Sequence, residues 1–130
     1  MTRNSVALAL ATGSDDEAIR EQSVATLEDH GAPDPSEIEP LSQLTADPNP
    51  LVAYWAITLI GRLSEAGKPA ESSLVAALAE RRPLEVRQRA AWALAKVGVI
   101  SSEARDALER ATASSDPRLA RLAQNALGRR

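Results

Sequence analysis

Apolar residues recur along this chain at the spacing of an amphipathic helix, and that helix recurs four times. In its clearest copy, residues 86–98 (VRQRAAWALAKVG), one face carries the small and apolar residues Val86, Ala90, Leu94 and Val97. Copies of this face follow one another every 33–34 residues, and their first positions are Ile19, Val52, Val86 and Leu119. Four residues later each copy has a small side chain: Ser23, Ala56, Ala90 and Ala123. A period of this length indicates an array of stacked helical repeats.

Proline, glycine and capping residues lie between these faces and predict where helices begin and end. Ser14 and Glu17 have the spacing of a capping box in front of the first copy, and Gly31 is expected to end that helix. Shorter helices are predicted between the copies, and they carry Leu41, Leu74 and Leu108. The second of them is expected to open at Pro69. Each unit is therefore a pair of antiparallel helices. Residues 1–130 are predicted to form one all-α domain, a right-handed α-α superhelix of three helix pairs flanked by a single helix at each end.

The motifs of these helices resemble those of the HEAT-repeat family, in particular its short bacterial members. The family pattern has an Asp-Pro start, a Val-Arg pair, an Ala four residues after the Val, and then Ala-Leu-Gly. It is matched here by Asp116-Pro117, Val86-Arg87, Ala90-Ala91, Ala93-Leu94 and Ala126-Leu127-Gly128. The departures are Ala53 and Ala120, where Arg is usual, and Ser23 in the Ala column. The resemblance covers nearly the whole chain and implies a HEAT-like solenoid that serves as a scaffold. It also implies that Arg87 bonds acidic or carbonyl groups of a neighbouring unit.

Composition and charge narrow the possible functions mainly by exclusion. The 130 residues include no cysteine and carry a formal net charge of −3. The lack of cysteine excludes disulfides, thiolate metal sites and a cysteine nucleophile. A single histidine, His30, provides no metal-ligand cluster, and its position at the end of the array is expected to face water. The negative charge argues against binding to nucleic acid or to an anionic membrane. We expect no enzyme activity, no cofactor and no metal, in a cytoplasmic monomer.

Two sets of side chains are candidates for binding a partner. The shorter helices, which carry Leu41, Leu74 and Leu108, are expected to line the concave face. That face should carry more acidic than basic residues. The candidate binding residues on it are Glu37, Glu71, Asp106 and Glu109. They would favour a basic peptide or protein, although a run of charge is commonly only a solvated face. Trp92 lies off the apolar stripe, so it is either an anchor for a partner or a lid between units. Trp55 is expected to pack between units and Tyr54 to be in water.

These observations together predict a non-enzymatic protein-interaction scaffold. Arg87 and Arg89, with Arg81 and Arg82 nearby, could bind phosphate or could serve structural roles. One alternative is a HEAT protein similar to the chromophore lyases, whose bilin lyase subunits carry similar repeats. The other is a DNA-binding relative of the HEAT-like alkylpurine glycosylases. That activity needs a basic concave face with aromatic residues, which this sequence is not expected to have.

Overall fold

The computed structural model describes residues 4–99 and 101–129. These residues form eight α-helices and two short 3₁₀ helices, with no strand among them. The α-helices are α1 (Ser5–Ala11), α2 (Glu17–Glu28), α3 (Ile38–Leu44), α4 (Pro50–Arg62), α5 (Glu71–Ala76), α6 (Leu84–Val97), α7 (Ser102–Thr112) and α8 (Pro117–Ala126). The 3₁₀ helices Pro35–Glu37 and Ser64–Ala70 lead into α3 and α5. The predicted all-helical solenoid is confirmed.

Five of these helices begin at a residue whose side-chain oxygen accepts a hydrogen bond from the backbone of the first turn. These residues are Asn4, Asp16, Asn49, Ser101 and Asp116. The capping box predicted at Ser14 and Glu17 is wrong, because Asp16 caps α2 and the Ser14 hydroxyl accepts a hydrogen bond from the backbone of Asp16. A capping box does form between Asp34 and Glu37. The local sequence therefore predicts the start of α2 to within two residues.

The connection between α4 and α5 differs from the prediction. Pro69 lies within the 3₁₀ helix Ser64–Ala70, and α5 begins at Glu71. Gly67 is buried where the chain passes between α4 and α6. A Cβ atom on Gly67 would lie 2.7 Å from the carbonyl oxygen of Ile60 and 2.7 Å from Cγ1 of Val97. The segment is thus exposed at several positions but packs tightly at Gly67, where only glycine fits.

The repeated helices α4, α6 and α8 form the most closely packed row of the molecule. Contacts between α4 and α6 are the most extensive of the fold, those between α6 and α8 come next, and α3, α5 and α7 contact one another much less. In the small-residue column, Ala56, Ala90 and Ala123 are fully buried and Ser23 is nearly so. Small side chains at Ala56, Ala90 and Ala123 allow α4, α6 and α8 to pack closely.

The first unit departs from the repeat pattern because α1, more than α2, packs against α4. Ile19 is 45% exposed, whereas its counterparts Val52 and Val86 are buried. His30, which was expected to face water, is buried instead, and its Nε2 lies 2.8 Å from Oγ of the buried Ser5. The reason is that α1 packs against both α2 and α4 and closes this end of the array. The prediction that the end column is solvated is therefore wrong at His30.

A candidate binding groove on helices α4, α6 and α8

Three of the four predicted acidic binding residues already accept hydrogen bonds from the chain itself. Glu37 accepts from the backbone N–H groups of Ser5 at 3.0 Å and Asp34 at 3.3 Å. Glu71 accepts from the backbone of Ser101 at 3.3 Å.

The other two candidate carboxylates lie on α7. Both oxygens of Glu109 accept from the guanidinium of Arg129, and this bond lowers the pKa of Glu109 below its usual value. Asp106 is exposed on the same helix. The structure therefore assigns structural partners to Glu37, Glu71 and Glu109, and does not bring the four carboxylates together around one pocket.

Arginine side chains connect successive units by donating to carbonyl oxygens near helix ends. Arg62 reaches the carbonyl of Leu27 at 2.7 Å, and Arg82 reaches that of Thr45 at 3.0 Å. Burial lowers the pKa of both guanidinium groups from the usual value of arginine. These bonds satisfy carbonyl groups that a helix end leaves without an intrahelical partner.

Arg87 has the same kind of role. Its Nε donates to the carbonyl oxygen of Leu78, just beyond α5, at 3.1 Å. The prediction that Arg87 bonds a carbonyl group is confirmed.

Arg89 lies between two aromatic rings. Its guanidinium carbon is 4.6 Å from the ring centre of Tyr54 and 4.5 Å from that of Trp92. The guanidinium also donates a hydrogen bond to the Tyr54 hydroxyl. Tyr54 is half-buried and its ring meets that of Trp55 edge to face at 5.5 Å, so the prediction that Tyr54 is simply in water is wrong. Trp55 is buried in the core, as predicted.

Trp92 has features of both predicted roles. Its ring packs against Gly61 of α4, where a Cβ atom would come within 2.5 Å of the indole Cζ3. The side chain is therefore a lid between two units, yet it is only half-buried. Its other neighbours are cations: Arg89 and, with Nζ at 5.8 Å from the ring centre, Lys96.

An open groove of about 330 Å³ lies beside this cluster. It is lined by Tyr54, Glu85, Gln88, Arg89, Trp92, Arg118 and Leu122, which come from α4, α6 and α8. The three helices carry one acidic residue, Glu85, and six basic ones: Arg62, Arg87, Arg89, Lys96, Arg118 and Arg121. Arg62 and Arg87 donate to carbonyl groups of other units, so the charged residues that line the groove itself are Arg89, Arg118 and Glu85. A cationic lining with two aromatic rings is a feature that the sequence is not expected to provide.

In residues 4–99 and 101–129, no carboxylate lies at ion-pair distance from the cations beside the groove, although Asp116 interacts with Arg118 at longer range. Among residues 4–99 and 101–129, carboxylates lie within 4.0 Å of a basic group only in the pairs Lys68–Glu65 and Arg129–Glu109. The charges of Arg89, Lys96 and Arg118 therefore have no ion-pair partner in the described part of the chain. The groove has a positive character although the whole chain carries −3.

The same part of the chain shows no metal centre and no membrane-spanning helix. No group of three or more His, Asp or Glu side chains among the described residues is placed to hold a metal ion. None of the helices described is both long enough and apolar enough to cross a bilayer. The Ser5–His30 pair is buried on both sides, so its hydroxyl is not exposed to a substrate.

The fold and the groove define an all-helical repeat array that carries a charged and aromatic surface on one row of helices. The family model for HEAT repeats matches residues 38–128, and the chain belongs to the HEAT-repeat family. The resemblance seen in the motifs is thereby confirmed. A search of curated proteins gave no match.

Solved structures show the same fold. The chain is similar to an engineered protein whose crystal structure was determined by the Northeast Structural Genomics Consortium, with a TM-score of 0.66 and 20% identity. The match covers 97% of this chain and 62% of that one. A second engineered protein from the same consortium matches with a TM-score of 0.61 and 18% identity, over 95% of this chain and 36% of that one. The chain thus spans less than two thirds of either structure.

Proposed function

We propose that this chain is a non-enzymatic scaffold that binds a protein or peptide on the surface of α4, α6 and α8. The observation that carries the proposal is the stack of Tyr54, Arg89 and Trp92 beside an open groove. Tyr, Trp and Arg are the residues most enriched at the energetic centres of protein interfaces. Here they are held in place by contacts with one another, so a partner would meet a surface that is already ordered.

The packing of the helices supports a binding surface on α4, α6 and α8 over one on α3, α5 and α7. In a curved stack the inner row has the shorter arc, so its helices approach one another more closely. The more extensive packing among α4, α6 and α8 supports their being that inner row. A basic partner bound by α3, α5 and α7 has less support, since Glu37, Glu71 and Glu109 already accept hydrogen bonds within the chain.

The two alternatives to a scaffold have weaker support. A chromophore-lyase-like role calls for a pocket that encloses a large ligand, whereas the groove beside Trp92 is open and about 330 Å³ in volume. A DNA-binding role gains from the basic character of this row, but Glu85 lies in the groove and the net charge of −3 opposes phosphate binding over a larger area.

Selection of binders from a diverse displayed peptide library tests the proposed function. Peptides that bind the wild-type chain should lose binding on Trp92→Ala and keep it on Asp106→Lys, because only the former changes the groove. Circular dichroism of each variant confirms that it folds. If the selected peptides still bind the Trp92→Ala variant but no longer bind the Asp106→Lys variant, the interface lies on α7 instead. If the library yields no specific binder, the proposal that this chain is a peptide-binding scaffold is wrong.

A further inference from the structure

We propose that the groove between α4, α6 and α8 recognises an acidic peptide in which a carboxylate side chain follows an apolar one. This inference rests on the proposed function and adds the chemistry of the partner. It begins from Arg89, which the rings of Tyr54 and Trp92 hold in a fixed orientation. A guanidinium group has five N–H donors in a planar fork that suits a carboxylate. The bond to the Tyr54 hydroxyl uses one of the terminal nitrogens and leaves other donors of the fork available.

A second cation faces the groove from the neighbouring unit. Arg118, at the start of α8, lines the same groove as Arg89, and it is exposed. Neither arginine has a carboxylate within 4.0 Å among the described residues. Burial, followed by the nearby positive charge of Arg89, lowers the pKa of Arg62, so Arg89 has a second guanidinium group close enough to repel it. An anionic ligand would relieve that repulsion and would accept charge-assisted hydrogen bonds.

The apolar half of the site adjoins this cationic half. A hollow of about 250 Å³ is lined by Pro50, Leu51, Tyr54 and Glu85, so it shares Tyr54 and Glu85 with the first groove. Leu51 is 41% exposed, and covering it with an apolar side chain would remove that surface from water. A peptide that crosses Tyr54 would therefore place an apolar side chain near Leu51 and a carboxylate near Arg89.

Two features favour a peptide over a nucleic acid as the occupant. Glu85 stands at the junction of the two halves. A nucleic acid carries a phosphate at every nucleotide and would bring negative charge against Glu85, whereas a peptide can present a backbone N–H there and keep its carboxylate near Arg89. The Leu51 hollow offers apolar contact, whereas affinity for nucleic acid comes mainly from phosphate contacts with Lys and Arg. The geometry thus favours a peptide that carries one apolar side chain beside one acidic side chain.

Fluorescence anisotropy with a labelled, acetylated peptide of alternating leucine and glutamate tests the inference. A matched peptide with glutamine in place of glutamate isolates the contribution of the carboxylates. With the wild-type chain we expect the glutamate peptide to bind about tenfold more tightly than the glutamine peptide. Arg89→Gln should remove that preference, and the affinity for the glutamate peptide should fall with added salt.

Three controls make the result decisive. Arg105→Gln makes the same substitution at an exposed arginine of α7. It should leave the preference for the glutamate peptide over the glutamine peptide intact. If Arg89→Gln disturbs folding, Arg118→Gln replaces it, since that side chain is exposed and should also reduce the preference. Labelled single-stranded and duplex oligonucleotides of mixed sequence provide the comparison with nucleic acid.

The inference is overturned if wild-type chain binds both peptides equally or if Arg105→Gln is as damaging as Arg89→Gln. Tighter binding of an oligonucleotide than of the glutamate peptide would overturn it too, and would make the groove a nucleic-acid site. Library peptides that need Trp92 but lack carboxylates would leave the proposed scaffold function standing while disproving the preference for acidic partners.

Discussion

Trp92 packs on Gly61, and the hydrogen side chain of that glycine is what makes room for the ring. A Cβ atom at Gly61 would lie 2.5 Å from Cζ3 and 3.1 Å from Cη2 of the indole. Both residues are helical, Gly61 near the end of α4 and Trp92 in the middle of α6. Close contact between these two helices thus depends on one absent methyl group, and it fixes the ring that stacks on Arg89.

Gly61→Ala should therefore displace the Trp92 ring. We expect a loss of stability of about 1–3 kcal/mol from overpacking, offset by up to about 1 kcal/mol because alanine favours a helix more than glycine does. Thermal unfolding and tryptophan fluorescence measure both effects. Trp92→Phe made in the Gly61→Ala background should recover part of the loss, because a smaller ring relieves the contact. Strictly additive effects of the two substitutions would show that the residues do not interact.

Ala90→Leu tests the small-residue column. Ala90 is fully buried in α6, so the larger side chain should force neighbouring helices apart at a cost of about 1–3 kcal/mol. Ala25→Leu, at an exposed position of α2, is the matched control and should change stability little. Chemical denaturation of the two variants is the measurement. An unchanged midpoint for Ala90→Leu would mean that this column does not hold units in close contact.

Hydrogen exchange should be faster in α2 than in α4. Nine of the thirteen residues of α4 are buried, whereas α2 buries only Ser23 and Leu27 of its twelve. End units of a stack have fewer stabilising neighbours and open before central ones. Amide exchange followed by NMR or mass spectrometry resolves the two helices. Equal protection would indicate that α1 stabilises the first unit as fully as a complete repeat would.

Asp116 should make stability depend on pH. A hydrogen bond from the Gln88 side chain at 2.9 Å, and then one from the backbone of Leu119 at 2.7 Å, lower the pKa of Asp116 below the usual 3.8. Because the native pKa is below the unfolded one, the stabilisation is fully present above the unfolded pKa. It is lost as the pH falls from about 3.8 through the native pKa.

The measurement compares the wild-type chain with Asp116→Asn, which can still cap α8 but carries no charge. The difference in unfolding free energy should be present at neutral pH and should shrink as the pH falls below about 4. Asp106→Asn, the same substitution at an exposed site of α7, is the matched control. A difference that is independent of pH would assign the role of Asp116 to its shape and not to its charge.

The fold was predictable from the sequence because its signals are local. Asn49 and Pro50 begin α4, and the apolar face of each repeated helix is visible without knowing its neighbours. The burial of His30 was not predictable in this way. It depends on α1, which is not a copy of the repeat and gives no sign in the sequence of where it packs.

The groove was predictable only in part: Trp92 and Arg89 were each candidates for binding, but their contact with each other and with Tyr54 was not predicted. Tyr54 and Arg89 are 35 residues apart, and they meet only because α4 and α6 pack side by side. One signal does exist in the repeat register. Glu85 and Arg118 both stand immediately before the first position of their copies, so they occur at the same end of neighbouring helices. Comparing the polar positions of the four copies would have predicted that Glu85 and Arg118 lie on one surface.

The arginine bonds between units also determine how the array would carry load. Arg62 to Leu27, Arg82 to Thr45 and Arg89 to Tyr54 join residues 35, 37 and 35 positions apart, close to one repeat length. Each bond joins two neighbouring units, so tension applied at the two ends of the array would load these contacts. A repeat array under tension extends by opening contacts between neighbouring units, and a partner bound across α4, α6 and α8 would reinforce the contacts of α6 with α4 and with α8.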